Sequence, residues 1–393
     1  MNKVVIAILL YSLLFFTACS QSGNNNKSMK NITLQSTDHV LKLPLDEWTK
    51  DIIYPQQVTD NKTGKKYLAF QNDLYPQLLF YEKETGKLAK KIDLVHEGDN
   101  GVNRFSSFLP KSMDEIYLIN NEVWGVTIIN GEGKPIKFIP GKSVNSGQQV
   151  ICNSNTFDLI GDSIYFGIHV DHENPQHERM KKSSLCAVLD LNSKTFYTPP
   201  VSYFDITQQE GEEDDHFNIY FPFRCYNKNR NTFVYSFIDL ENIYETDKAH
   251  TTIRKIKAKS KYLTTRDIEK VKFSMVYDIA ENTKKDIAKG RYWSIHYDPY
   301  RHVYYRIVIP PSDIPDNVHI INFYQNGGHS FAIMILDEDF NIIDEVMLPK
   351  DTYVPSPIFV DEDGLYICEN HILNPNYSDD VCPFRRFELV PKK

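Results

Sequence analysis

Glycine is scarce in this sequence, at 17 of 393 residues, and proline adds only 20. A collagen-like repeat and a Gly/Ser-rich low-complexity chain are both excluded by that balance. Positive charge is also in deficit. Lys and Arg total 44 against 52 Asp and Glu, a net charge of −8, which gives a nucleic-acid partner no electrostatic basis. The apolar run at the start, Val4 to Phe16, falls short of the roughly 20 residues that a membrane-spanning helix needs. No Gly-x-Ser-x-Gly elbow and no phosphate-binding glycine loop occurs, so the common signatures of a serine hydrolase and a P-loop enzyme are missing.

The N-terminus reads as an address. Lys3 supplies a positive n-region, and the apolar run suits the h-region of a secretory signal. It ends in Phe16-Thr17-Ala18-Cys19, which resembles a bacterial lipobox with Phe16 in place of the usual Leu. The resemblance implies that residues 1–18 are removed and that Cys19 carries lipid. Residues 19–30 then form a flexible tether, since Ser20 to Ser28 contains no apolar side chain. Several acyl chains on one cysteine anchor stably, at about 0.8 kcal/mol per buried methylene. By the same resemblance, Ser20 rather than Asp after the cysteine implies the outer membrane. The lack of an acidic cluster there implies the periplasmic side.

What the chain has in abundance is aromatic residues, 24 Tyr and 23 Phe. Past residue 30 they occur in strand-like words of four to eight residues, separated by Asn, Asp, Gly, Lys and Pro. Leu78 to Tyr81, a turn at 82–86 and a return over Lys87 to Leu94 form one hairpin. Phe331 to Leu336 with Ile342 to Leu348 forms another, and Ser184 to Asp190 with Thr195 to Thr198 a third. A second word precedes each, such as Ser294 to Tyr297, turn, Val303 to Ile307. Markers for this word fall near residues 56, 106, 154, 220, 294 and 356, a mean spacing of about 60, close to one four-stranded propeller blade with its loops.

The expected fold is therefore all-β, a six-bladed β-propeller over residues 31–393, with two packed β domains split near 200–215 as the alternative. The last copy has three strands, ending at Phe384 to Leu389, and lacks a fourth. An isolated strand at His39 to Leu43 is expected to complete it and close the ring. Ser260 to Arg291 fits no blade and reads as an insertion with a weak helix at Thr265 to Val271.

These blade words are similar to the TolB-like six-bladed propeller lipoproteins of Bacteroidetes, within a family known only as a domain of unknown function. Gly86-Lys87, Ile92-Asp93-Leu94, Glu97 to Gly101, Phe105 to Phe108, Asp114 to Tyr117 and Asp298 to Tyr305 carry the resemblance. It implies fold and envelope location, and brings no catalytic residues with it.

Three groups of side chains are candidates for chemistry. His169, Asp171 and His172, with Asp214 and Asp215 on the next connection, combine imidazoles and carboxylates that would hold a divalent cation; the other reading is a solvated acidic loop. His172 to His177 is not a zincin helix, because its spacing is too long and Pro175 breaks it. Arg224, His296, Trp293 and Tyr220 lie on or beside inner strands, where an Arg with aromatics would suit a carboxylate- or sugar-bearing ligand. The competing role for Arg224 is pairing with an Asp of the neighbouring blade. Cys368 and Cys382 sit on consecutive antiparallel strands and are candidates for a disulfide in an oxidising compartment. Beyond the divalent cation, no cofactor is indicated. Two functions follow: a non-catalytic binder of a peptide, protein or glycan, or a glycan hydrolase or lyase using loop carboxylates or a metal.

Overall fold

The computed structural model describes residues 31–49, 52–72, 74–120, 124–141, 148–151, 157–170, 183–210, 222–263 and 279–392. Their β-branched and aromatic residues pair into six antiparallel sheets. Blade 1 contains β2 (Ile52–Thr59), β3 (Lys66–Asn72), β4 (Gln77–Glu82) and β5 (Leu88–Asp93). Blade 2 contains β6 (Phe105–Pro110), β7 (Ile116–Asn120), β8 (Gly125–Ile129) and β9 (Pro135–Pro140). In blade 3, β10 (Gln148–Ile151) and β11 (Phe157–Ile160) both pair with β12 (Ser163–Val170), followed by β13 (Cys186–Asp190) and β14 (Thr195–Tyr197). Blade 4 is β15 (Phe223–Asn227), β16 (Thr232–Ser236), β17 (Asn242–Asp247) and β18 (Ile253–Lys257). Blade 5 is β19 (Arg291–Asp298), β20 (Val303–Ile309), β21 (Ala332–Asp337) and β22 (Ile342–Met347).

The last sheet joins the two ends of the chain. β23 (Ile358–Asp361), β24 (Gly364–Cys368) and β25 (Val381–Pro391) are followed by β1 (Ile32–Pro44), the most N-terminal described strand. β1 is longer than the alternation at 39–43 indicates. It pairs with β25 from Ile32↔Pro391 to Ser36↔Phe387, shifts register, and resumes from Val40↔Arg385 to Pro44↔Val381. The cause is burial: Leu34, Leu41 and Leu43 are all buried, so both halves of the strand contribute to the core.

No single core fills the molecule. Six apolar clusters occur among the described residues, one between each pair of neighbouring blades. The cluster joining Phe359, Tyr366 and Phe384 of blade 6 to Leu68, Phe70 and Leu79 of blade 1 closes the ring. Each blade buries both faces, and the stack supplies the hydrophobic stabilisation that one sheet lacks. Cations tie the blades together as well. Arg306, fully buried on β20, donates to Ser236 Oγ (3.0 Å) and to the carbonyls of Leu240 (2.7 Å), Glu241 (2.7 Å) and Ala258 (2.9 Å) in blade 4. Arg301 reaches from blade 5 to the carbonyls of Asp361 (2.9 Å) and Glu362 (2.8 Å) in blade 6.

The two faces of the ring differ. Connections between blades, and those between second and third strands, open on one face; the other two kinds of turn close the opposite face. The second face has short hairpins such as 161–162, 228–231 and 362–363. The first carries all three described helices: α1 (Tyr203–Glu210), α2 (Ile279–Lys289) and α3 (Ile320–Gln325). α2 occupies the expected insertion, while the helix anticipated at 265–271 lies outside the described residues. The strand periodicity gave no sign of α1 or α3. Both are short, eight and six residues, too few turns to show a clear helical period.

Candidate functional site

The inner strands share a departure from regularity. Counted from the first hairpin turn, β2, β6, β11 and β19 each make four regular pairs with their neighbour. Beyond that level the ladder breaks. Two residues of β19, Trp293 and Ser294, stand opposite one of β20, Ile307. β2 bulges between Ile53 and Gln56, and β6 between Phe105 and Ser107. In blade 3 the strand leaves at Phe157 and returns as β10 at Ile151. A bulge adds an unpaired residue and bends its strand, and the three bulges, in β2, β6 and β19, sit at one level, toward the loop-bearing end of their blades.

The β19 bulge positions the best-defined group of side chains. Trp293 is half-buried, its ring 4.9 Å from Phe223 at the start of β15 and 5.9 Å from Tyr324 on α3. The Arg291 guanidinium lies 3.6 Å from the centre of the Tyr324 ring and 5.1 Å from that of Trp293, and donates to the Tyr324 carbonyl (2.6 Å). Arg291 is fully buried, so it stiffens the aromatic group from behind rather than facing solvent. His296 lies two residues past the bulge, its Nε2 2.9 Å from the hydroxyl of buried Ser294. Burial lowers the His296 pKa to about 4, so the ring is neutral at physiological pH. Together these groups offer a wall of mutually inclined aromatic rings and a neutral imidazole, chemistry suited to contact and hydrogen bonding rather than proton transfer at neutral pH.

Arg224 is held between two blades. It is 3% exposed, and its NH2 donates to Asp158 Oδ2 (3.1 Å) and the Tyr165 carbonyl (2.8 Å) in blade 3. Its NH1 approaches Cys186 Sγ (3.3 Å) and Tyr235 Oη (3.4 Å), and the guanidinium stacks on Phe233 at 4.8 Å. Burial lifts the Asp158 carboxyl above its ordinary pKa, and Arg224 pulls it partly back. The network continues outward, to the turn between β17 and β18. Tyr235 donates to His250 Nε2 (2.6 Å), while Nδ1 of that ring donates to the Lys248 carbonyl (3.2 Å). With these bonds made, the Arg224 charge serves the contact between blades 3 and 4.

A family model described as Domain of unknown function (DUF4221) matches residues 31–346. The chain belongs to this family. Among solved structures, a DUF4221 member from Bacteroides vulgatus ATCC 8482 is similar with a TM-score of 0.78 and 24% identity, covering 92% of this chain and 99% of that one. A second structure, from Bacteroides fragilis NCTC 9343, is similar with a TM-score of 0.53 and 9% identity, covering 92% and 96%. At such identities these relatives establish the fold alone. No curated protein matches the chain.

The other residues singled out in this DUF4221 chain fare differently. Tyr220, Asp171, His172, Asp214, Asp215 and Cys19 lie outside the described residues. His169 belongs to β12, where its backbone pairs with Gln149 of β10. Among the described residues no group of three or more His, Cys, Asp or Glu side chains is arranged to hold a metal. Cys368 and Cys382 are buried with their sulfurs 3.6 Å apart, as two thiols rather than a bridge. Phe223, Tyr324 and Arg291 were missed from sequence. Arg291 and Phe223 adjoin selected residues, but Tyr324 arrives on a connection some thirty residues away and has no local signal.

Proposed function

We propose that this chain is a non-catalytic binding or scaffold protein of the cell envelope, held by a lipid anchor on Cys19 at the outer membrane and facing the periplasm. Its loop-bearing face takes a peptide, protein or glycan partner. The observation supporting this is the asymmetry of the ring: short hairpins on one face, helices, long connections and inner-strand bulges on the other. Loops on a rigid scaffold are where binding residues concentrate. The Trp293, Phe223 and Tyr324 wall lies on that face, beside the level where the inner strands open.

The test is a glycan-array and envelope pull-down screen with the full chain, run beside metal analysis of the purified protein. A specific partner, lost in Trp293→Ala while the unfolding midpoint is kept, supports the reading. Stoichiometric zinc or calcium that disappears in His172→Ala, with turnover of a labelled glycan, replaces it with the hydrolase or lyase reading.

A further inference from the structure

Exposed apolar side chains gather at one place on the loop-bearing face. Trp48 (49% exposed), Leu74 (56%), Tyr75 (39%) and Val95 (52%) lie on the three connections that open from blade 1 on that side. The Trp48 and Tyr75 rings meet edge to face, 5.5 Å apart at 85°. They are held, not loose. Asn72, 2% exposed, donates to the Trp48 carbonyl (2.9 Å) and Gln77 Oε1 (2.9 Å), and its Oδ1 accepts from the Leu74 amide (3.0 Å). Asp46 Oδ1 accepts from the Trp48 amide (3.2 Å) and Thr49 Oγ1 (2.7 Å), while Lys91 donates to its Oδ2 (2.9 Å). The Leu94 amide donates to the Pro76 carbonyl (2.7 Å), which ties the backbone preceding Val95 to the backbone following Tyr75.

None of these four side chains belongs to an apolar cluster between blades. Folding therefore does not account for displaying them on a fixed backbone, and a rigid exposed aromatic patch marks an interaction surface. Its described rim is predominantly acidic. Among the described residues of 45–49, 72–77 and 91–99, the acids are Asp46, Glu47, Asp93, Glu97 and Asp99. The one Lys or Arg there is Lys91, already engaged by Asp46.

We propose that this ledge docks a peptide segment of a partner protein that carries both apolar and basic side chains. An aliphatic or aromatic side chain covers Trp48 and Tyr75, and Lys or Arg reaches the acidic rim, with a cation–π contribution where it crosses a ring. The acidic rim argues against an anionic lipid surface, and it attracts a cationic segment at a distance as it cannot attract a neutral sugar. The proposal rests on the loop-bearing face being the binding face, but the ledge shares no residue with the Trp293 wall, so loss of binding in Trp293→Ala and in Trp48→Ala are separate outcomes.

Fluorescence anisotropy with the full chain in detergent tests this. The probes are a fluorescein-labelled peptide of alternating Lys and Leu, its Glu/Leu counterpart, and a neutral β-glucan oligosaccharide. The Lys/Leu peptide should bind and the Glu/Leu peptide should not. Added salt should weaken binding, and Trp48→Ala should weaken it about tenfold or more, the range of an interface hot spot. Trp48→Tyr should recover most of the loss, and an unchanged unfolding midpoint in both variants separates binding from folding. No binding of the Lys/Leu peptide, binding indifferent to Trp48→Ala, or Trp48-dependent binding of the oligosaccharide instead would each overturn the proposal.

Discussion

At 3% exposure, Arg224 has given up nearly all of its hydration and needs bonds from the protein in exchange. Asp158 and the Tyr165 carbonyl provide them across the blade interface. Arg224→Ala should therefore cost about 3–5 kcal/mol, because it strands a carboxylate beside an emptied cavity. A lowered urea midpoint with an unchanged slope would show this, and a midpoint equal to wild type would refute it. His250 makes a second prediction at this scale. Burial first, then the Arg224 charge, lowers its pKa to about 3 from 6.5. As pH falls, the unfolded chain takes up the proton before the folded one, so stability is lost from about pH 6.5 downward and levels off near pH 3. At about pH 5 the loss is roughly 2 kcal/mol. His250→Asn, suited to the left-handed φ of 49° there, should be less stable at pH 7 yet lose less between pH 7 and about 5. An identical pH slope in both proteins would count against it. The oddity of Arg224 could be read from sequence, because an arginine inside a strand word needs an explanation. Pairing with an Asp of the neighbouring blade was legible too; that the Asp is Asp158 was not, since it lies 66 residues away in the chain.

Elements were the most legible level, because each blade repeats the same alternation of aromatic words and polar turns. The bulges were hidden for a physical reason: an extra residue in a strand changes its direction without changing its composition. Trp293 stood out as an inner-strand aromatic, but the break between Tyr292 and Ile295 at which it sits half-buried left no mark in the composition. β1 shows the opposite case. Its alternation marked only 39–43, and the burial of Leu34 accounts for the earlier half. Gly86 fits against that strand with φ of +69°, where a Cβ would run into the Lys42 carbonyl. The paired thiols of β24 and β25 also belong to this scale. With the sulfurs 3.6 Å apart, a small side-chain rotation suffices to bond Cys368 to Cys382 under a disulfide-bearing oxidant, whose own disulfide is reduced to two thiols. Oxidised protein should then show two fewer alkylated thiols than the same sample after reduction. Closing that loop should add about 3 kcal/mol of stability. Equal alkylation with and without reductant would exclude the bridge.

For the whole molecule, spacing was enough to count the blades, yet nothing in spacing says which face carries the long connections or where the chain enters. Topology decides both. β25 runs from the loop-bearing face toward the hairpin face, and β1 is antiparallel to it, so Ile32 enters beside Pro391 on the hairpin side and Pro44 leaves on the loop side. With a lipid on Cys19, twelve residues would separate the anchor from Ile32, and an unstructured linker of that length averages roughly 20 Å end to end. That average favours the near, hairpin face over the far face of the ring. The hairpin face is then expected nearest the membrane, leaving the Trp48 ledge and the Trp293 wall directed away from it. Fluorophores at two exposed positions test the geometry: Glu84→Cys on a hairpin turn and Asn376→Cys on the connection between β24 and β25. In vesicles carrying the lipidated chain and a quencher in the acyl layer, the Glu84→Cys label should be quenched more strongly. Stronger quenching at Asn376→Cys would invert the orientation, and equal quenching would mean that the tether imposes none.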